Sequence, residues 1–201
     1  MKKSSLILLF FPLLMFGQES DFKLWSNASI NYSINKKTDI AFSQGLRLRE
    51  NANIKEEVFS NFSISRKWNK KLRFAIDYRF IEEYDFYSNS KLEHRISVDA
   101  SWRKKIDRLT LKSRSRFQYT SNLVFRKRLS LHNNLPKTPL EPSLLFELFY
   151  DFSTFSKIRA TLSASYPLAK SIDLDLYYRL QNNLNESSII YILGLGFSYD
   201  I

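Results

Sequence analysis

From Leu72 to Phe80 the chain alternates without a break. Leu72, Phe74, Ile76, Tyr78 and Phe80 fall on one side, and Arg73, Ala75, Asp77 and Arg79 on the other. The same two-residue period runs through Leu92–Trp102, Ile158–Tyr166 and Ile172–Leu180. Alternate residues of a strand point to opposite faces, so each segment predicts a β-strand with one apolar and one charged side. The alternation holds for about 9–12 residues per segment, the length a tilted strand needs to cross a bilayer. Strands of soluble sheets are typically about 5–6 residues long.

These segments recur with a fixed period. Lysines mark the expected short turns at Lys36, Lys70, Lys104, Lys137 and Lys170, with spacings of 34, 34, 33 and 33. A period near 34 also occurs in helical-pair repeats, but the two-residue alternation inside each unit rules those out. Each unit reads instead as strand, loop, strand, turn. A constant hairpin height is what a slab of fixed thickness requires. Tyr32, Trp68, Trp102 and Tyr166 stand two to four residues before the next turn lysine. An amphipathic ring followed by a cation in water predicts an interfacial girdle.

The N-terminus supplies the compartment. Lys2 and Lys3 precede an apolar run from Leu6 to Phe16, then the small Gly17 and the polar Gln18 to Asp21. This is the pattern of a secretory signal peptide over residues 1–17, followed by a barrel domain over 18–201. The run is too short for a membrane helix, which needs about 20 residues. The chain has no cysteine, which excludes a lipid-anchored terminus, disulfides and thiol chemistry. The net charge of +11 would fit nucleic acid in a cytosolic protein. An exported chain instead meets anionic headgroups, lipopolysaccharide phosphates and anionic solutes.

The reading is therefore an all-β, antiparallel up-and-down transmembrane β-barrel of about 10–12 strands. The segments are 23–34, 38–49, 57–68, 72–83, 91–103, 108–119, 125–134, 142–151, 157–168, 171–182 and 189–201. That is eleven, whereas bacterial single-chain barrels have even numbers. The expectation is thus ten or twelve, with the first segment not a full wall strand or another missed or split. Phe197, Tyr199 and Ile201 give the final strand the aromatic face typical of outer-membrane barrels. If it ends in the periplasm, the lysine turns lie there. The more variable loops near 50–56, 84–90, 120–124, 152–156 and 183–188 then face outward.

With apolar faces outside, the lumen receives a charge ladder. Its members are Arg47, Arg73, Asp77, Arg79, Arg95, Asp99, Arg114 and Arg116, then Arg126, Arg128, Glu147, Arg159, Asp175 and Arg179. Asp39, Arg49, Glu93, Arg103 and Asp173 share that side. Reflection through a turn centred near residue 138 places Arg128 opposite Glu147, a modestly stabilising cross-strand pair. Two readings follow: paired charges that fill a narrow barrel, or an interior that binds or conducts anions because arginine exceeds acid. Wide aqueous channels appear only at about 16–18 strands, so a barrel of this size is plugged or narrow.

Catalysis has one candidate pair. Ser130 and His132 share the lumen side, but no Gly-x-Ser-x-Gly pattern is present and no orienting third group stands out. His94 lies on the apolar side, so the two histidines cannot converge on a metal. The expectation is a non-enzymatic barrel without cofactor or metal: structural, binding, or a narrow solute path. The alternative is a hydrolase acting on lipid or lipopolysaccharide.

A resemblance adds to this. Phe125-Arg-Lys-Arg-Leu-Ser-Leu131, Pro142-Ser-Leu-Leu-Phe-Glu-Leu-Phe-Tyr150, Leu174-Asp-Leu-Tyr-Tyr-Arg-Leu-Gln181 and Ile192-Leu-Gly-Leu-Gly-Phe-Ser-Tyr199 resemble the uncharacterised outer-membrane family DUF2490 of Gram-negative bacteria. The resemblance implies an outer-membrane barrel and carries no catalytic residue. The expected partners are outer-membrane lipids, lipopolysaccharide and the barrel-assembly machinery, and no nucleic acid; the oligomeric state stays open.

Overall fold

A computed structural model describes residues 21–186 and 188–201. The expected signal peptide, residues 1–17, lies outside them. The strands are β1 (Asp21–Asn35), β2 (Thr38–Arg49), β3 (Ile54–Lys67), β4 (Leu72–Tyr84), β5 (Ser90–Ile106) and β6 (Leu109–Tyr119). They continue with β7 (Leu123–Asn133), β8 (Glu141–Tyr150), β9 (Phe155–Ala169), β10 (Ile172–Asn183) and β11 (Ser188–Asp200). Each pairs with its sequence neighbours, and β11 closes on β1 to complete a barrel. The closed strand order excludes a two-sheet sandwich.

Among the described residues the count is eleven, not the ten or twelve expected, and the first segment is a full wall strand. Direction explains how an odd barrel closes. In an up-and-down chain with eleven strands, the first and last run the same way. Their seam must therefore be parallel, and it runs in register from Asp21↔Ile190 to Asn31↔Asp200. A parallel ladder is slightly weaker per residue than an antiparallel one, yet it satisfies the backbone on both edges.

Small residues let the seam form. Trp25 stands opposite Gly194 and Asn27 opposite Gly196. A Cβ at Gly194 would fall inside the Tyr177 ring, which lies over it from β10. The Gly194→Val variant is expected to lose about 1–3 kcal/mol by overpacking. Chemical unfolding in detergent measures this, and Tyr177→Ala in the same chain is expected to recover most of the loss.

The connections differ from the sequence expectation in two places. Lys104 and Lys105 lie inside β5, and the turn is made by Asp107 and Arg108, with Asp107 at a φ of 51°. The longest connection is 134–140, at the lysine end, between Asn133 and Glu141. Those at the opposite end are short. One is ordered by Asp85, whose carboxylate accepts from the Tyr87 and Asn89 backbone amides and the Asn89 side chain. The Asn89 contacts lead in holding its pKa below the usual carboxylate value.

The wall is apolar outside and polar inside. Ile76, Val98, Phe146 and Leu176 are all about half exposed on the outer face. Among the described residues, nine buried side chains are polar or charged and five are hydrophobic, so the interior is built on charge rather than oil.

Candidate functional site

The interior chemistry starts from strand register. β6 and β7 set Arg114 directly opposite Arg128, and Arg116 opposite Arg126. Like charges facing each other across a ladder are destabilising. Neighbouring strands supply the counter-charge. Asp99 pairs in register with Arg116, and Glu147 sits between Arg128 and Arg159.

Glu147 is the hub. Its Oε1 accepts from Arg126 Nη2 at 3.0 Å, Arg128 Nε at 3.2 Å and Arg114 Nη2 at 3.3 Å, and its Oε2 lies 3.7 Å from Arg159 Nη1. The Arg128–Glu147 pair read from the sequence is therefore present, as one of four. Arg116 lies 2.5 Å from both Asp77 and Asp99, so it bridges β4, β5 and β6. Arg114 approaches Asp99 at 3.7 Å. Charge-assisted, multiply bonded groups of this kind form rigid networks when every member is met.

Aromatic rings carry the layer round the other half of the barrel. Trp25 on β1 has guanidiniums over its ring from Arg47 at 4.0 Å, Arg179 at 5.1 Å and Arg159 at 5.4 Å. Arg47 also donates to Glu57 at 2.7 Å, and Arg79 stacks on Phe59 at 4.0 Å. Cation–π contacts of this kind are worth about 0.5–2 kcal/mol, more when dry.

This layer separates two cavities, and Arg114 and Arg128 line both. The one toward the 50–53, 85–89 and 120–122 loops has a volume of about 570 Å³. Eleven lysines and arginines line it against three carboxylates, so it is strongly cationic. The one at the lysine-turn end, about 400 Å³, contains Lys112, Ser130 and His132.

Other expected residues sit nearer the ends. Arg73 pairs with Asp39 at 3.1 Å. Arg103 donates to the Lys70 carbonyl at 3.3 Å, and Arg49 to the Tyr84 carbonyl at 2.9 Å. Glu93 accepts from Lys91, and Asp175 from Ser165. Arg95 donates to Thr120 at 3.0 Å within the loop-end cavity. Tyr32, Trp68, Trp102 and Tyr166 are all exposed on the outer face near the lysine turns.

Ser130 and His132 are in contact, with Nε2 3.1 Å from Oγ. Among the described residues no carboxylate bonds the imidazole, and no group of three or more metal-ligating side chains converges. His94 faces outward against the Tyr78 hydroxyl at 2.7 Å.

Three features escaped the sequence reading. Trp25, Phe59 and Phe149 point inward, although strand parity alone assigns them there. Glu57 joins the lumen by the same parity as Phe59, directly opposite Arg47, and a bulge just beyond it, between Arg47 and Leu48, brings Glu56 into the cavity wall as well. A second aromatic cluster rims the loop end, where Phe117, Phe125, Tyr150, Phe152 and Phe155 contact one another at centroid distances of 5.2–6.5 Å.

No curated protein matches this chain. A family model does, over residues 22–189, which takes in the first ten strands of the barrel and the first two residues of the last. The chain belongs to the family described as Protein of unknown function (DUF2490).

Proposed function

We propose that this chain is an exported, non-enzymatic outer-membrane barrel that holds an anionic solute in its loop-end chamber rather than conducting it. The observation that carries the reading is the cationic cavity standing above a layer of ion pairs. Its volume lies within the range of about 300–1,000 Å³ usual for small-molecule sites.

The membrane reading is supported by the half-exposed apolar outer face and by aromatic residues near both ends. It is supported too by lysines at the turns. In that setting the lysine turns lie in the periplasm, and the chamber opens outward. Outer-membrane lipids and lipopolysaccharide surround the wall, and the barrel-assembly machinery inserts it.

Purified protein is expected to fractionate with outer membranes and to run faster unheated than boiled on a gel. Reconstituted in a planar bilayer, it is expected to give no steady current in chloride or phosphate. Discrete openings in the unmodified protein would remove the closed-chamber reading.

The Ser130–His132 contact motivates the hydrolase reading. Without a third group to orient the imidazole, the pair has no means to hold the reactive tautomer. The purified barrel is expected to release no fatty acid from lipid or lipopolysaccharide; release abolished by His132→Ala would reverse that.

A further inference from the structure

Within the loop-end chamber, counter-charge is unevenly supplied. On the β6–β8 wall every arginine pair is met by Asp77, Asp99 or Glu147. On the β4–β5 wall, Arg79 and Arg95 stand directly opposite each other in the ladder and have no carboxylate within 4.0 Å among the described residues. Arg79 touches only the Asn61 amide oxygen, at 3.3 Å, and the Phe59 ring; Arg95 touches the Thr120 hydroxyl.

The same holds on the β9–β10 wall. Arg179 donates to the Thr161 hydroxyl at 2.8 Å and lies over the Trp25 and Tyr177 rings, and Lys157 lies 5.6 Å from the Phe149 ring. Neither has a carboxylate within 4.0 Å among the described residues. All four cations line the one cavity. Among the described residues, the buried donors Trp25 Nε1 and Arg126 Nε in its wall have no hydrogen-bond partner, nor do the acceptors Glu56 Oε2 and Glu57 Oε1. A buried donor without a partner costs free energy that a ligand oxygen would return.

The positions of these walls matter. Round the barrel, β9 is five strands from β4 in one direction and six in the other, so the two walls face each other across the lumen. Strands about 4.8 Å apart and tilted by about 40° put the opposing backbones roughly 22 Å apart. A single phosphate held on one wall leaves the other wall unmet.

We infer that the chamber takes a small soluble solute carrying two phosphate-type groups, one held by Arg79 and Arg95 and the other by Arg179, with Lys157 four ladder positions further along the same wall. This rests on the anion-chamber reading and specifies its ligand. Guanidinium forks match phosphate oxygens in pairs, and two tethered anions bind with the advantage of a high effective concentration. The solute is soluble rather than a lipid headgroup because the chamber lies inside the wall, away from the apolar face on which acyl chains would rest.

Calorimetric titration of the refolded barrel in detergent, at fixed ionic strength, tests this. The probes are inorganic phosphate, glucose 6-phosphate and fructose 1,6-bisphosphate. The bisphosphate is expected to bind about tenfold more tightly than the monophosphate, through engagement of the second wall. The double variant Arg79→Gln, Arg95→Gln, and separately Arg179→Gln, are expected to bring the bisphosphate down to the monophosphate level. Monophosphate binding itself is expected to change by less than about threefold. Equal affinity of the unmodified protein for the two sugars would overturn the two-phosphate inference and leave the anion chamber standing. No binding of any of the three would remove the chamber as well. The comparison of ligands on the unmodified chain decides the matter even where a variant fails to fold.

Discussion

Glu147→Ala is expected to destabilise the barrel by about 3–5 kcal/mol, the usual cost of stripping one partner from a buried ion cluster. The glutamate side chain is only 4% exposed and neutralises four guanidiniums from three strands. Its loss leaves Arg114, Arg126, Arg128 and Arg159 crowded with no common counter-ion. Surface ion pairs are worth about 0–1 kcal/mol, so an exposed pair such as Lys91–Glu93 is the internal control. Urea unfolding of both variants in one detergent, followed by the heat-dependent gel shift, compares them. A loss at Glu147 no larger than at Glu93 would show that the hub arginines find water or other partners.

The second large effect is expected at the layer between the cavities. Arg114 and Arg128 line both, so replacing the two with alanine joins them into one lumen. The choice keeps the remaining charges met. Glu147 retains Arg126 at 3.0 Å and Arg159 at 3.7 Å, and Asp99 retains Arg116. In a planar bilayer the double variant is expected to pass from silence to discrete current steps. These should be anion-selective, because the chamber above stays cationic. A folded double variant that remains silent would place the block elsewhere, in the rings around Trp25.

Much of this architecture was legible in the residues because a strand has a strict period of two. Once Leu72–Phe80 is read as alternating, the side on which Asp77 and Arg79 lie follows. The Arg128–Glu147 register followed from the middle of the 134–140 connection, since reflection through a turn needs only its centre. The same arithmetic fails at a bulge, and Glu56, the extra residue where β2 and β3 slip by one, reaches Lys23 in the chamber wall although parity alternates it away from Glu57. The turn after β5 was misplaced for another reason. Lys104 and Lys105 look like turn residues by composition, but Asp107 has the left-handed backbone the turn needs.

Which arginines lack a counter-ion was not legible at all. Arg79 and Arg116 are alike in the sequence, each inward and each followed by a phenylalanine. Only the arrangement of strands around the ring brings two aspartates to Arg116 and a phenyl ring to Arg79. The closure was hidden similarly: eleven strands were countable, while the tolerance of a parallel pair depends on glycines under Trp25 and Tyr177.

That parallel seam has a kinetic consequence. Ten of the eleven ladders join strands adjacent in the chain, and each can zip from its own turn as soon as its two strands exist. The β1–β11 ladder has no turn to start from; Asn31 and Asp200, hydrogen-bonded across it, are 169 residues apart in sequence. Such a contact carries a large loop-closure entropy before it returns any bonding, which makes it a late and slow step. Until it forms, a curled sheet presents two unsatisfied edges running in the same direction. The rate of maturation should therefore track the seam, and a catalyst of assembly would act by holding those two edges until they meet.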